Sequence, residues 1–295
     1  MIPPMTDLRG GVDRGFELLD AGEGRRLERF GSIVVDRPAP TALAWLGDRS
    51  AWTDADLRFD SDGGWTADGL DGIAATPAPW TVEIAGLTME VRPTASGGLG
   101  LYPEHVANVA WLEARIGERL GAGSHEEPPT ILNLFAHTGL VTLVAARAGA
   151  EVAHVDGART AIAWARRNAE LSGLADRPIR WLVDDAAAFV AREARRGRRY
   201  DGIVLDPPSF GHARRRRWRL EDELPSLLLA CAGILADDGF ALLTAHTTGL
   251  DGLAMRDLVR AAFPSTSKVS ADALELTARS GARLELGWAV RIASG

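Results

Sequence analysis

The 295-residue sequence has one cysteine, Cys231. A single thiol forms neither an internal disulfide nor a cysteine-based metal cluster, and this scarcity fits a reducing cytoplasm. No run of about 18 apolar residues occurs, so no membrane span is expected. Residues 1–10 lack the basic-then-apolar pattern of a signal peptide, so no secretory leader is expected either. There is no internal repeat and no low-complexity tract. Positive charge is not in excess: the net charge is -7. That argues against a globally basic nucleic-acid binder but leaves room for a local basic face. What remains is 46% hydrophobic and 25% charged, the composition of a globular protein. The length suits one large domain, or a large and a small one.

Residues 1–93 are rich in Asp, Gly, Pro and Trp and read as a small β-rich domain. Ser32–Val35, Trp80–Ile84 and Leu87–Val91 are candidate strands, the last two joined by a tight turn at Ala85-Gly86. Trp45, Trp52, Trp65 and Trp80 suit a small core, because tryptophan carries so much buried area; stacking on nucleobases is the alternative. Thr94–Gly98 reads as a flexible joint, and residues 94–129 as a linker with an amphipathic helix over Val106–Leu120. From Thr130 to the end, strands and helices alternate, which predicts parallel βαβ units with right-handed crossovers. Strands are expected at 131–135, 151–155, 179–183, 201–205 and 240–245. A loop is expected after Pro208. Ala273–Thr277 and Arg283–Ile292 flank Arg279-Ser280-Gly281 as a hairpin, so an antiparallel strand is expected to close the sheet edge.

The first four of these strands end in a polar or turn signature: Ala136–Gly139, Asp156, Asp184-Asp185, and Asp206-Pro207-Pro208. Carboxyl ends of parallel strands share one rim, so these residues are expected to converge. Gly139 lets a ligand approach the backbone closely. Asp156 is placed to accept from ribose hydroxyls, and Asp184 or Asp185 from an adenine amino group. Asp206-Pro207-Pro208 is a stiff turn that can hold carbonyls outward. Taken singly, each Asp reads equally as a helix N-cap; four in register favour a site. The turn lacks G-x-G-x-x-G, which a pyrophosphate would need. S-adenosylmethionine, an adenosine without phosphate, fits better.

Several motifs carry a family resemblance. They are Asn133–Gly139 (against a pattern Asn-Leu-Phe-x-Tyr-Thr-Gly), His154-Val155-Asp156, Ile162–Asn168, Asp184-Asp185-Ala186, Asp206–Gly211, and Gly100–His105. On these, the chain from about Gly98 resembles the class I S-adenosylmethionine-dependent methyltransferases. More narrowly, it is similar to the bacterial large-subunit rRNA cytosine-C5 methyltransferases and their relatives. The resemblance implies a Rossmann-like α/β fold with a seven-stranded sheet whose last strand is antiparallel. It implies cofactor binding by Asn133, Phe135, His137, Thr138, Gly139, Asp156, Asp184 and Asp185, and catalysis at Asp206, Pro207, Pro208 and Phe210. His137 stands where the family has Tyr, and His105 where it has Gln. The family's nucleophilic cysteine follows the fifth strand; here Leu243–Gly249 contains none. C5 attack normally needs such a nucleophile, and Cys231 lies at core spacing within a helix. Asp206-Pro207-Pro208-Ser209-Phe210 is loosely similar to the motif of amine methyltransferases, where an acid or carbonyl accepts from an exocyclic amine and an aromatic ring stacks on the base.

Arg214, Arg215, Arg216, Arg217 and Trp218 follow directly, with Arg219. Such a run suits phosphate contact and base stacking; a solvated loop is the plain alternative. Arg192–Arg199 lies at a helix C-terminus, where cations complement the dipole. The spacing of His105, His137 and His246 suggests no metal site, and none is expected. The expected function is a cytoplasmic S-adenosylmethionine-dependent methyltransferase acting on RNA, rRNA in particular. A protein or small-molecule methyltransferase and a non-catalytic assembly factor are the alternatives.

Overall fold

A computed structural model describes residues 15–45, 47, 49–67, 78–121, 127–213, 216–247, 250–263 and 268–293; at 210–218 it describes backbone only. Two compact units divide the chain. The first comprises the residues up to Ile84, with Val91–Leu99 and Thr277–Arg283. The second comprises Ala85–Glu90, Gly100–Leu276 and the residues from Leu284 on.

The first unit is built on a five-stranded sheet of β1 (Phe16–Gly22), β2 (Arg25–Phe30), β3 (Ile33–Pro38), β4 (Leu57–Asp60) and β5 (Gly64–Ala67), in that order. β1 turns into β2 through Glu23 and Gly24, both left-handed at φ 50° and 76°, as a two-residue hairpin matched to strand twist requires. Leu19, Leu27, Trp52 and Ala55 form a small core. The four tryptophans divide. Trp52 and Trp65 are buried, and their indole N–H groups donate to Asp20 Oδ2 and the Thr94 carbonyl at 2.9 and 2.7 Å. Trp80 is half-buried and donates to the Phe30 carbonyl. Trp45 is 83% exposed. Thr94–Gly98, expected as a flexible joint, is instead a hydrogen-bonded turn: the Thr94 amide donates to the Gly98 carbonyl, and the Gly98 amide to Thr94 Oγ1.

β6 (Trp80–Ile84) and β7 (Leu87–Val91) form the expected hairpin, turning at Ala85 and Gly86 with φ 50° and 70°. In the second unit a 3-10 turn, Pro103–Asn108, leads into α1 (Val109–Gly121). The alternation follows: β8 (Thr130–Leu134), α2 (Leu140–Arg147), β9 (Glu151–Asp156), α3 (Arg159–Leu171), β10 (Ile179–Val183), α4 (Ala186–Arg195) and β11 (Tyr200–Leu205). A hairpin of β12 (Phe210–Ala213) and β13 (Arg216–Arg219) precedes α5 (Leu220–Ala232), β14 (Leu235–Ala245), α6 (Gly252–Ala262), β15 (Lys268–Thr277) and β16 (Arg283–Ala293).

The seven-stranded order is β10-β9-β8-β11-β14-β16-β15. β8 through β11 and β14 pair in parallel, and β16 runs antiparallel to β14, Leu243 opposite Val290. The sequence placed the antiparallel strand at the edge. In the structure β16 folds back between β14 and β15, and β15 takes the edge. Strand order reverses between β8 and β11, and the crevice at their carboxyl ends is the switch point where open α/β sheets bind ligands. The core holding this rim includes Leu132 and Leu134 of β8, Ile203 and Leu205 of β11 and Leu243 of β14, all at most 1% exposed. Among the described residues no helix is long and apolar enough to cross a membrane.

Candidate active site

The turn between β8 and α2 is held in unusual geometry. Phe135, His137 and Gly139 all have positive φ, at 55°, 47° and 93°. Such conformations cost a non-glycine residue roughly 1–3 kcal/mol and persist only where neighbours enforce them. Here the enforcement is visible. The Ala136 amide donates to the Val155 carbonyl, and the Gly139 amide to the Ala136 carbonyl. The His137 amide donates to Asp156 Oδ2 at 2.9 Å, while Asp156 Oδ1 accepts from the Ala158 amide at 2.8 Å. A single carboxylate thus fastens two turns at the switch point. A Cβ on Gly139 would stand 3.1 Å from that of Ala165.

Behind the turn lies a polar brace. Asn133 donates to Thr142 Oγ1, which is hydrogen-bonded to His154 Nδ1. Burial pushes His154 down to about 3, so it stays neutral. Thr138 donates through Oγ1 to the Gly100 carbonyl, and its own carbonyl accepts from Asn168. Asn133 and Thr138 are each 3% exposed, so they support the turn from behind.

In front lies a cavity of about 900 Å³. Phe135, His137, Asp156, Asp184, Asp185, Asp206, Pro207 and Pro208 line it, together with Tyr102, Ser209 and His246. The acids carry structural duties too: Asp185 caps α4 through the Ala188 amide, and Asp184 pairs with Arg192. Asp185 therefore stands both as an N-cap and on the rim, whereas Asp184 stands on the rim in an ion pair.

Asp206 is the most constrained group. Its Oδ1 accepts from Thr244 Oγ1 at 2.6 Å and lies 3.2 Å from His246 Nε2; its Oδ2 lies 3.2 Å from His105 Nε2. Burial would raise this carboxyl, but His105 and His246 hold it well below its ordinary value. Burial would lower His246, but Asp206 outweighs it and pushes the ring up to about 9. His246 Nδ1 donates to the Leu286 carbonyl at 2.8 Å. Tyr102 joins these rings, its centroid 5.3 Å from that of His137 and 6.3 Å from those of His105 and His246. Sequence reasoning assigned no role to Tyr102, Thr244 or His246. The one available signal was their position next to strand ends or within Gly100–His105.

The backbone at His246 packs against Gly287 of β16, the strand paired with β14. Gly287 has φ 145°, and a Cβ there would run into the Ala245 carbonyl oxygen and reach 3.1 Å from the His246 Cα. Gly287→Ala is therefore expected to cost roughly 2–4 kcal/mol through backbone strain and overpacking. Urea unfolding is the check; a loss under about 0.5 kcal/mol would show that β16 yields there.

Part of the basic run, Arg216–Arg219, is in a strand rather than a loop. Phe210–Ala213 and Arg216–Arg219 pair antiparallel, Phe210 opposite Arg219 and His212 opposite Arg217. The Leu220 amide donates to the Ser209 carbonyl at the base of this hairpin, and Ser209 Oγ is bonded to Thr247 Oγ1. Arg214 and Arg215 lie outside the described residues, as do the side chains of Phe210, Arg216, Arg217 and Trp218. Cys231 is fully buried in the core, and burial pushes its thiol up.

Comparison with known proteins decides the family. No family model matches the chain. The crystal structure of an S-adenosylmethionine-dependent methyltransferase from Agrobacterium tumefaciens superposes with a TM-score of 0.86 at 34% identity, covering 97% of this chain and 91% of that one. The chain belongs to the S-adenosylmethionine-dependent methyltransferases. The methyltransferase is also 32% identical over 143 residues to the ribosomal RNA large subunit methyltransferase K/L of Methylococcus capsulatus, covering 45% of this chain and 19% of that protein. It is 34% identical over 111 residues to methyltransferase K of Neisseria meningitidis, covering 37% and 31%. It thus spans less than a third of the length of these curated relatives. The cavity suits the cofactor. It is roomy enough for a nucleoside, Phe135 and His137 of the turn line it, and Asp156 keeps lone pairs beyond the two it spends on amides. S-adenosylmethionine, when bound, supplies an electrophilic methyl group.

Proposed function

We propose that this methyltransferase modifies RNA, at a nitrogen or oxygen of a base rather than at pyrimidine C5. The observation that carries the reading is the hairpin of β12 and β13. It leaves the cavity wall directly after Asp206-Pro207-Pro208-Ser209, and its sequence holds Arg214 to Arg217, Trp218 and Arg219. Arginines beside a reactive rim suit phosphates, and tryptophan suits an unstacked base. The names of the curated relatives point the same way.

Position C5 is disfavoured by chemistry. It must first be activated by a nucleophile adding at C6. The chain's one thiol, Cys231, is buried in α5 and held protonated, and His246 follows β14 instead. A heteroatom acceptor needs no covalent enzyme nucleophile; placing it in line with the methyl supplies most of the rate. In this reading Phe135, His137, Gly139, Asp156, Asp184 and Asp185 seat the cofactor, with Asn133 and Thr138 bracing them. Asp206, Pro207, Pro208 and Phe210 place the acceptor. Arg214, Arg215, Arg216, Arg217 and Trp218 hold the RNA, and the site of action is the cytoplasm.

The test is transfer of tritiated methyl from S-adenosylmethionine to total RNA and total protein from cells lacking the gene. Label in RNA, retained after nuclease digestion on a heteroatom-methylated nucleoside, is expected. Label only in protein or small molecules, or none in any fraction, would refute it. Replacing Arg214 to Arg217 with alanine should reduce the slope of log affinity against log salt by up to about 3, four contacts at ~0.7 each for single strands. Cofactor affinity should be unchanged. An unaltered slope would remove the hairpin's role.

A further inference from the structure

Three ligand-capable side chains meet at the switch point from remote parts of the chain. His105 comes from the 3-10 turn, Asp206 follows β11, and His246 follows β14. One donor atom from each lies within 4.8 Å of the others, and both imidazole Nε2 atoms stand 3.2 Å from a carboxylate oxygen. Two donors bound to one ion at ~2.0–2.2 Å are about 3.0 Å apart at octahedral angles and about 3.4 Å apart at tetrahedral ones. The two histidine–Asp206 spacings are therefore those of neighbouring ligands.

The surroundings match a metal site's outer shell. His246 Nδ1 donates to the Leu286 carbonyl, the contact that turns a ligating imidazole and fixes which nitrogen faces the ion. Its Nε2 is buried 3.2 Å from Asp206 Oδ1 without meeting hydrogen-bond geometry. Thr244 orients Asp206 at 2.6 Å. Glu104 is 3% exposed, with Oε1 3.8 Å from His246 Nδ1 and Oε2 lacking any hydrogen-bond partner. Of the three histidines weighed from the sequence, His137 is not in the set, and Asp206 takes its place.

We propose that His105, Asp206 and His246 bind one divalent transition-metal ion of the Zn²⁺ class. Two imidazoles and a carboxylate suit such ions, not Mg²⁺ or Ca²⁺. Three protein ligands leave a position open, and Asp206 and His246 both line the cavity. The open position would take a nitrogen or oxygen of the methyl acceptor. The proposal deepens the heteroatom reading above and does not depend on the acceptor being RNA.

The test uses the full chain, stripped with chelator and titrated with Co²⁺ in the absence of RNA. One equivalent should develop the visible d–d bands of an imidazole–carboxylate site, and Zn²⁺ should displace them. His105→Ala and His246→Ala should each weaken Co²⁺ by 100-fold or more, and Thr244→Val by about tenfold. His125→Ala, a histidine outside the set, should not change it. S-adenosylmethionine binding and far-UV circular dichroism show whether each variant is folded. X-ray absorption on the wild type gives a readout independent of variants, and it should count two imidazoles on the metal. Absent bands at one equivalent, bands that persist in the His105→Ala/His246→Ala double variant, or fewer than two imidazoles would overturn the site and leave an ordinary His–Asp ion-pair cluster. Failure to label RNA would leave these results untouched.

Discussion

Asp156→Ala is expected to lower affinity for S-adenosylmethionine by about 100-fold. The carboxylate closes β9, where it faces the cavity and accepts from the His137 and Ala158 amides. Two charge-assisted bonds to ribose hydroxyls, at roughly 1.5 kcal/mol each, sum to about 3 kcal/mol, and 1.4 kcal/mol is tenfold. A second loss compounds the first. Without Asp156 Oδ2 the left-handed turn at His137 loses one of the bonds that enforce it, so the cofactor would meet a turn no longer set in place. Asp156→Asn separates these effects. Its amide has one oxygen, which can keep one of the two backbone donors, and its NH₂ cannot accept from ribose. An intermediate loss of about tenfold is expected. Isothermal titration calorimetry measures both; an alanine variant within threefold of wild type would show that Asp156 is only a turn fastener.

Residues that were readable are those whose signal is local. Each of the first four parallel strands is a short apolar run closed by its own acid or glycine, so Gly139, Asp156, Asp184, Asp185 and Asp206 could be placed at neighbouring strand ends from order alone. Convergence across the sheet was not readable. His105, Thr244 and His246 lie before β8 and at the end of β14, and their meeting on Asp206 depends on strand order and on Gly287 admitting the Ala245 backbone. The hairpin of β12 and β13 was hidden because an arginine run has no period-two apolar pattern. The insertion of β16 was hidden because a hairpin's sequence marks its turn but not which arm faces the sheet. Trp45 and Trp52 show the same limit in the first unit. The residue type is identical, but only Trp52 has the Asp20 carboxylate within reach of its N–H.

Glu28→Ala is expected to destabilise the first unit by about 3–5 kcal/mol, the cost of leaving one member of a buried ion pair without its partner. Glu28 is fully buried on β2 and Arg37 is 5% exposed on β3. Arg37 Nε donates to Glu28 Oε2 at 2.6 Å and Nη2 to Oε1 at 3.2 Å, and Arg26 Nε lies 3.4 Å from Oε2. Burial alone would raise the Glu28 carboxyl; Arg26 and Arg37 outweigh it and hold it below its ordinary value of 4.5. A depressed folded value means the pair's contribution is complete above about pH 4.5 and is lost as pH falls through the folded value. Acid unfolding of the wild type should therefore have a limb below pH 4.5 that is shallower in Glu28→Ala. Hydrogen exchange at the β2 and β3 amides reads the local stability without assuming that the two units unfold together. The double variant Glu28→Met/Arg37→Leu tests the cause. If the loss arises from an uncompensated Arg37 charge, removing both partners should restore most of it. If the double variant is as unstable as Glu28→Ala, the loss comes from packing of the glutamate stem, and the charge argument fails.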